Sequence, residues 1–307
     1  MKLPCGFGVG TATHTGWVRS NNEDDFLVGA PPHRGEPSRG GDPLLLCASA
    51  DGRGGAAGGA EGSRIALRAL SPEVLDPAGS ATVEQRLARG FALAGERVYA
   101  ESTAVPALRD MGTTLTALCV DGTTMRLGHV GDTRAYRCRD GRCEQLTEDH
   151  AAREHENLLL RCIGGGKPDS EVDFGAFPLR AGDRYVLATD GVWSTMGERD
   201  LARLTARGSA QQAADALVAA ALQAGGPDNA TAVVVDVLDP AAKGEREVEL
   251  PRDERPSGRE LWPKPASLRA PVWPWVLWTV ALVLLVAAAL RWWWDVDLWG
   301  WVGGWFG

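Results

Sequence analysis

The sequence lacks several features that would each indicate a particular class of protein. Its six cysteines are scattered and include no Cys-x-x-Cys pair, which excludes the common zinc-binding patterns. The formal net charge is −8, and this shortage of positive charge argues against nucleic acid as a partner. No long apolar run follows Met1, so we expect no N-terminal signal peptide. No internal repeat occurs at the periods of solenoid proteins.

The 307 residues, of which 44% are hydrophobic, are enough to form one large domain with a sizeable core. We predict a domain over residues 1–238 with an α+β fold, because short apolar strands alternate unevenly with a few long helices. The predicted strands are 5–13, 25–30, 44–48, 113–120, 124–130, 133–138, 143–147, 172–177, 184–189 and 231–237, of which the four between 113 and 147 read as one meander. The predicted helices are 60–70, 82–103 and 209–224.

Two of the cysteines flank a predicted turn. The dipeptide Asp140-Gly141 is typical of a two-residue hairpin turn, so Cys138 and Cys143 are expected to lie opposite each other on paired strands. A redox pair is one interpretation. Two reduced thiols in a cytosolic hairpin is the interpretation that the sequence favours.

Five short signatures that contain aspartate follow one another along the chain. They are Arg19-Ser-Asn-Asn-Glu-Asp24, Ala50-Asp51-Gly52-Arg-Gly-Gly, Val130-Gly131-Asp132-Thr-Arg, Thr189-Asp190-Gly191 and Gly226-Pro-Asp228-Asn. Each one alone is weak evidence, because Asp-Gly is common in turns. Together they bring carboxylates to the ends of predicted strands, and such oxygen ligands are the ones that Mg²⁺ and Mn²⁺ prefer.

In this order the signatures resemble those of the metal-dependent (type 2C, PPM) Ser/Thr protein phosphatase family, most closely its bacterial branch, from about Gly8 to Leu238. The resemblance implies an αββα four-layer sandwich that hydrolyses phosphoserine and phosphothreonine on proteins, with Mn²⁺ or Mg²⁺ as the cofactor and water as the nucleophile. Two ions are implied, with a place for a third. The implied metal ligands are Asp24, Asp51, the Gly52 carbonyl, Asp190 and Asp228, with Asp132 at the third ion.

Other roles also follow from the resemblance. Arg19 matches the phosphate-binding arginine, and its planar guanidinium suits phosphate oxygens. Arg19, Asp51 and Asp190 are therefore the implied catalytic set. Supporting roles are implied for Asn22, Glu23, Thr113, Thr114 and Asn229.

The chain departs from the family pattern in two places. Arg53 occupies the position of a histidine that is the proposed general acid in eukaryotic members, and arginine cannot donate a proton near neutral pH. Arg53 is either a second phosphate contact or an exposed loop residue. The flap segment is shortened to residues 151–162, which predicts an open site and puts the metal role of Asp132 in question. The alternative function is therefore a catalytically weak regulator that binds phosphoproteins.

The C-terminal part predicts a membrane anchor. Residues 239–270 form a Pro- and charge-rich linker, and the 21 residues from Ala270 to Leu290 carry no charge. At 1.5 Å per residue they span about 30 Å, the thickness of a bilayer core. Tryptophans lie at both ends, as in an aromatic belt. We predict a single transmembrane helix over 271–291, followed by a short Trp-rich tail over 292–307.

The charges that flank this span predict its orientation. Five basic residues lie from Arg252 to Arg269, whereas on the other side there is only Arg291, at the boundary of the span. The positive-inside rule places the catalytic domain in the cytoplasm. The resemblance to the bacterial branch implies that the membrane is the inner membrane of a bacterium. The expected partner is a Ser/Thr kinase, whose phosphorylated products the enzyme would dephosphorylate.

Overall fold

The computed structural model of the protein describes residues 1–31, 44–76, 81–152 and 155–248. The predicted span 271–291, the tail 292–307 and the linker beyond Val248 lie outside these residues. Among the residues that the structure does describe, no helix is both long enough and apolar enough to cross a bilayer.

Short strands make up most of the regular structure. In chain order the strands are β1 (Lys2–Pro4), β2 (Phe7–His14), β3 (Asp24–Gly29), β4 (Leu44–Arg53), β5 (Gly112–Thr113), β6 (Leu115–Asp121), β7 (Thr124–Val130), β8 (Arg134–Arg139), β9 (Arg142–Gln145), β10 (Ala151–Ala152), β11 (His155–Leu159), β12 (Ile163–Gly164), β13 (Asp173–Pro178), β14 (Arg184–Ala188), β15 (Ala230–Val237) and β16 (Glu245–Glu247).

The helices include the three that the sequence predicts. They are α1 (Gly55–Val74), α2 (Val83–Ala104), α3 (Asp190–Trp193), α4 (Glu198–Thr205) and α5 (Ala210–Gln223), with a 3₁₀ turn at Pro106–Leu108. Ser209 and Gln212 form the predicted capping box at the start of α5. Thr82 and Gln85 form a second capping box, which fixes the start of α2. The short helices α3 and α4 were not predicted, because four to eight residues give too little periodic pattern.

Two antiparallel sheets form the centre of the domain. The first sheet has the order β12-β5-β4-β6-β7-β13, with β3 also paired to β4, and the second has the order β2-β15-β14-β8-β9. Alternate residues of β4 face opposite sides: Leu46 and Ala48 pack under α1 and α2, whereas Leu45 and Cys47 face the second sheet. The other face of the second sheet packs against α5. Helices, sheet, sheet and helices thus form four layers.

The predicted meander is wrong at one connection. β6 pairs with β7 and β8 pairs with β9, but β7 and β8 belong to different sheets. The turn Gly131-Asp132-Thr133 therefore crosses from the first sheet to the second. Alternation along a strand tells which face is buried and not which neighbour pairs with it, so the sequence pattern could not reveal this crossing.

The favoured interpretation of the β8–β9 hairpin is also wrong. Asp140 and Gly141 both have positive φ, as the predicted turn requires. Cys138 pairs directly with Cys143, and the structure joins the two sulfurs in a disulfide, with the Cα atoms 4.0 Å apart. Strand pairing brought the two thiols within bonding reach.

The folded domain continues beyond the predicted boundary at Leu238. β16 pairs with β1 near the N-terminus, and the Met1 amino group donates a hydrogen bond to the Val248 carbonyl at 3.0 Å. Arg246 also donates to the carbonyl of Phe7 at 2.7 Å. Residues 245–248, at the start of the predicted linker, are thus tied to the domain.

Candidate metal centre

The five aspartates of the motifs lie at one end of the two sheets. Asp24 begins β3, Asp51 lies near the end of β4, and Asp190 follows β14 at the start of α3. Asp228 precedes β15, and Asp132 lies in the turn that crosses between the sheets. Since β14 and β15 are antiparallel, the end of one and the start of the other meet at the same edge.

Strand register sets the first pair of carboxylates. Asp24 is directly opposite Asp51 in the pairing of β3 with β4. The backbone of Asp51 is fixed from both sides: its N–H donates to Thr114 Oγ1 at 2.8 Å, and its carbonyl accepts from Thr113 Oγ1 at 2.9 Å. The predicted supporting role of these two threonines is therefore to hold Asp51 in place.

The second sheet supplies a different arrangement. Asp228 Oδ2 accepts a hydrogen bond from Arg19 Nη2 at 2.6 Å, so the candidate phosphate ligand and a candidate metal ligand are paired with each other. The Thr189 hydroxyl, just before Asp190, donates to Asp24 Oδ2 at 2.8 Å. This hydrogen bond links the second sheet to a carboxylate of the first.

Asp132 lies in a tightly constrained turn. Gly131 has φ of 113°, and a Cβ at this position would lie 2.6 Å from Thr114 Cβ, so only glycine fits. The carbonyl of Asp132 accepts a hydrogen bond from Trp193 Nε1 at 2.9 Å. The hydroxyls of Thr114 and Thr133 are 2.7 Å apart and couple this turn to the backbone of Asp51.

Burial and mutual repulsion dominate the electrostatics of the cluster. Burial raises the pKa of Asp24 to about 7, and burial with the nearby charge of Asp190 raises the pKa of Asp132 to about 7. The pKa of Asp51 is raised well above its usual range by burial and then by the charges of the other four aspartates. Burial and the charge of Asp228 raise the pKa of Asp190. Crowded carboxylates of this kind favour a bound cation.

The chemistry of the donors fits a hard divalent ion. The five side chains offer only oxygen, and the buried Asp24 Oδ1 has no hydrogen-bond partner among the described residues. As the side chains stand, no three His, Cys, Asp or Glu groups in the described ranges surround a single metal position. Asp228 is turned to Arg19 and Asp24 to Thr189, so an ion that binds Asp228 must compete with the guanidinium.

The loop before β3 is held by two asparagines. Asn229 Oδ1 accepts from the Glu23 N–H at 2.8 Å, and its amide donates to the carbonyls of Thr15 and Asn21. Asn22 donates to Thr13 Oγ1 at 2.8 Å. These residues fix the loop that carries Arg19, in agreement with the supporting roles predicted for them.

Gly52 is at a point of close backbone approach. Its N–H donates to the Glu23 carbonyl at 3.2 Å, and a Cβ here would lie 2.0 Å from the Gly59 carbonyl oxygen. The structure thus explains why glycine follows Asp51. The role of the Gly52 carbonyl as a metal ligand stays a prediction. Arg53 ends β4, and its charge lowers the pKa of Asp132 against the effect of burial.

Sequence reasoning missed three residues that contact the site. Thr189 adjoins Asp190 in the fourth signature, and Trp193 lies three residues after Asp190. His150 follows the β8–β9 hairpin, which comes directly after the turn of Asp132. His150 Nδ1 accepts a hydrogen bond from the Gly131 N–H at 3.1 Å. Proximity to the motifs was the available signal, but the contacts themselves exist only in the folded chain.

Comparisons with known proteins agree with these observations. The sequence model of the family described as "Protein phosphatase 2C" matches residues 34–237. The serine/threonine protein phosphatase PstP of Mycobacterium tuberculosis is 32% identical over 241 residues, covering 73% of this chain and 44% of that protein. The chain thus matches less than half the length of PstP. The serine/threonine phosphatase stp of Listeria welshimeri is 28% identical, covering 73% of this chain and 93% of that protein.

A solved structure gives the same result for the fold. The crystal structure of the catalytic domain of PstP in complex with two manganese ions has a TM-score of 0.66 and 30% identity, covering 78% of this chain and 100% of that one. The family match extends over more than half of the chain, and the described fold gathers the motif aspartates at one edge. On this evidence the chain belongs to the protein phosphatase 2C family.

Proposed function

We propose that the protein is a metal-dependent phosphatase that hydrolyses phosphoserine and phosphothreonine on proteins. The observation that carries this proposal is the convergence of carboxylates from both sheets beside Arg19, at one edge of the domain. The family match and the phosphatases to which the chain is similar support it.

The residues divide the work between the cofactor and the substrate. Asp24, Asp51, Asp190 and Asp228 would hold Mn²⁺ or Mg²⁺, with Asp132 near a third ion. When bound, these cations supply positive charge that acidifies water and polarises the phosphoryl oxygens. The strand register and the threonine hydroxyls hold the backbones of Asp24 and Asp51 in place, so the ordering that remains when an ion binds is that of the side chains.

Arg19 serves the substrate. Its side chain is 56% exposed, and its pair with Asp228 is therefore weak and easily exchanged. A phosphoryl group presents oxygens that the guanidinium can bind with two parallel hydrogen bonds. Binding of a cation to Asp228 would release Arg19 to the phosphoryl group, so the two ligands would favour each other's binding.

The decisive experiment is an assay of the purified full-length chain on a phosphothreonine peptide. We expect hydrolysis with Mn²⁺ or Mg²⁺ and none with EDTA. Asp190→Asn should abolish turnover, because the site loses one anionic ligand. Asp200→Asn is a matched control: this aspartate is exposed and pairs with Arg203 on α4. Turnover that resists EDTA would refute the metal-dependent mechanism. Peptide binding without turnover would instead favour the weak regulator.

We also propose that residues 271–291 anchor the enzyme in the inner membrane of a bacterium, with the catalytic domain in the cytoplasm. The uncharged run, its flanking tryptophans and the excess of basic residues before it support this arrangement. The tether would confine the enzyme to the membrane surface. It would then oppose a bacterial Ser/Thr kinase that acts near that surface.

Two measurements test the anchor. The full-length chain should stay in the membrane pellet without detergent, whereas a chain truncated after Val248 should not. A reporter that is active only outside the cytoplasm should be active when it is fused after Gly307. A soluble full-length chain would refute the anchor, and a reporter active only in the cytoplasm would reverse the orientation.

A further inference from the structure

The turn that carries Asp132 is held by a residue outside the five signatures. His150 contacts Gly131 through two hydrogen bonds. The backbone N–H of His150 donates to the Gly131 carbonyl at 2.8 Å, and the ring Nδ1 accepts from the Gly131 N–H at 3.1 Å. His150 is 6% exposed, so these bonds are shielded from water. Both backbone groups of the residue before Asp132 are therefore satisfied by one histidine.

The ring of His150 is itself fixed. Because Nδ1 accepts a hydrogen bond from the Gly131 N–H, the ring proton is on Nε2, which faces Asp173 Oδ2 at 3.0 Å. The other oxygen of Asp173 accepts from Arg161 Nη1 at 3.1 Å. This chain from Arg161 through Asp173 to His150 sets both the orientation and the tautomer of the imidazole.

The residue before His150 secures the other side of the turn. Asp149 accepts a hydrogen bond from Arg134 Nη2 at 2.7 Å, and the Arg134 guanidinium carbon lies 3.5 Å from the centre of the Trp193 ring. The indole N–H of Trp193 donates to the Asp132 carbonyl at 2.9 Å. His150 therefore contacts the residue before Asp132, and Asp149 stabilises the carbonyl side of Asp132 through Arg134 and Trp193.

We propose that His150 is a positioning residue that orients the Asp132 carboxylate for a cation. This inference rests on the proposed function, because it assumes that Asp132 binds an ion. The shortened flap put the metal role of Asp132 in question. Asp149 and His150 precede the shortened flap and still contact the turn, and Arg161 near the end of the flap supports the ring of His150 through Asp173. Removal of the Nδ1 acceptor would leave the buried N–H of Gly131 unpaired and let the turn shift.

The test measures Mn²⁺ binding to the full-length protein, by the electron paramagnetic resonance signal of free Mn²⁺. We expect Asp132→Asn to lower the affinity for the most weakly bound ion and to leave the affinity for the more tightly bound ions unchanged. His150→Leu should weaken the same ion roughly tenfold, the lower end for partners that orient metal ligands. His150→Asn should restore much of the affinity, because its side-chain oxygen can accept from Gly131.

A double-mutant cycle separates positioning from a general effect on the fold. If His150 acts through Asp132, then His150→Leu should cause no further loss in a chain that already carries Asp132→Asn. His129→Asn is the matched control. The His129 ring lies 4.7 Å from the His150 ring but bonds to Thr116 and the Glu148 carbonyl.

Each other outcome has a definite meaning. Three results would each overturn the positioning role. The first is that His150→Leu binds the weakly bound ion as well as the wild type does. The second is that His150→Leu lowers the affinity by its full amount in the double variant, and the third is that His129→Asn lowers the affinity as much as His150→Leu. Should His150→Leu fail to fold, His150→Asn and Asp173→Asn decide the question, because the proposal requires near wild-type affinity in the first and weakened affinity in the second. A wild-type chain that binds no Mn²⁺ would instead refute the proposed function, and the positioning role with it.

Discussion

The two sheets contribute their carboxylates to the site in different ways. The first sheet presents Asp24 and Asp51 as directly paired strand residues, and Asp24 is only 7% exposed. The second sheet presents Asp228 before a strand, with a side chain that is 28% exposed and paired with the exposed guanidinium of Arg19. The first pair is thus fixed by the backbone, whereas the second sheet carries the side chains that can exchange partners. The fold thus suggests a division between the two sheets. The first sheet holds metal ligands rigidly, and the second sheet holds a ligand that also meets the substrate-binding arginine.

The largest expected effect is that of Asp51→Asn. Asp51 feels the charges of the other four aspartates, so it is the most central carboxylate. We expect turnover to fall by orders of magnitude, and by more than in Asp228→Asn, when kcat is measured over a range of Mn²⁺ concentrations. In EDTA the same variant should be more stable to heat than the wild type, because a buried repulsive charge is removed. A milder loss in Asp51→Asn than in Asp228→Asn would break the comparison between the sheets.

The next effect is that of Arg19→Ala. We expect KM for a phosphopeptide to rise about tenfold or more, because hydrogen bonds to a charged group are lost. The affinity for Mn²⁺ should stay the same or rise, since Asp228 loses a competing partner. Arg19→Lys should recover only part of the loss, because an ammonium cannot form the two parallel hydrogen bonds. Weaker Mn²⁺ binding in Arg19→Ala would show that the arginine supports the metal site instead.

The smallest effect concerns the hydrogen bond between the sheets. Thr189→Val keeps the shape of the side chain but removes the donor to Asp24 Oδ2 and the acceptor for the Thr231 N–H. We expect a loss of about 2 kcal/mol in the free energy of unfolding, measured by urea denaturation in EDTA. Thr189→Ser, which keeps the hydroxyl, is the control. Equal stability of the valine and serine variants would mean that this bond does not couple the two halves.

The long periodic segments of the fold could be predicted from the sequence. In α2 the residues Val83, Leu87, Phe91, Ala94 and Val98 are all buried, as their spacing indicates. The strands β2, β3, β7, β13, β14 and β15 begin or end within two residues of the predicted bounds. Segments of two to four residues, such as β1, β5 and β16, were missed because their pairing partners are distant in the sequence.

The candidate site was predicted less completely. The five aspartates and Arg19 were found from their order in the chain, and the structure brings them to one edge. The pairing of Arg19 with Asp228, and the contact of Thr189 with Asp24, join residues that are 209 and 165 positions apart. No local pattern encodes such contacts, and the ligand roles of the aspartates remain predictions until ions are titrated.

The sequence by itself determined which chemistry is present: oxygen donors in a fixed order, an arginine in the first signature, and glycines where the backbone must turn or approach closely. It also determined where α2 and α5 begin, because a capping box is a local interaction. The tertiary structure alone decided that β7 and β8 belong to different sheets, and that the turn between them is hydrogen-bonded to His150 and Trp193. The physical reason is that hydrogen bonds within a helix turn join near neighbours in the chain. Strand pairing and side-chain packing join residues whose separation in the sequence is unrestricted.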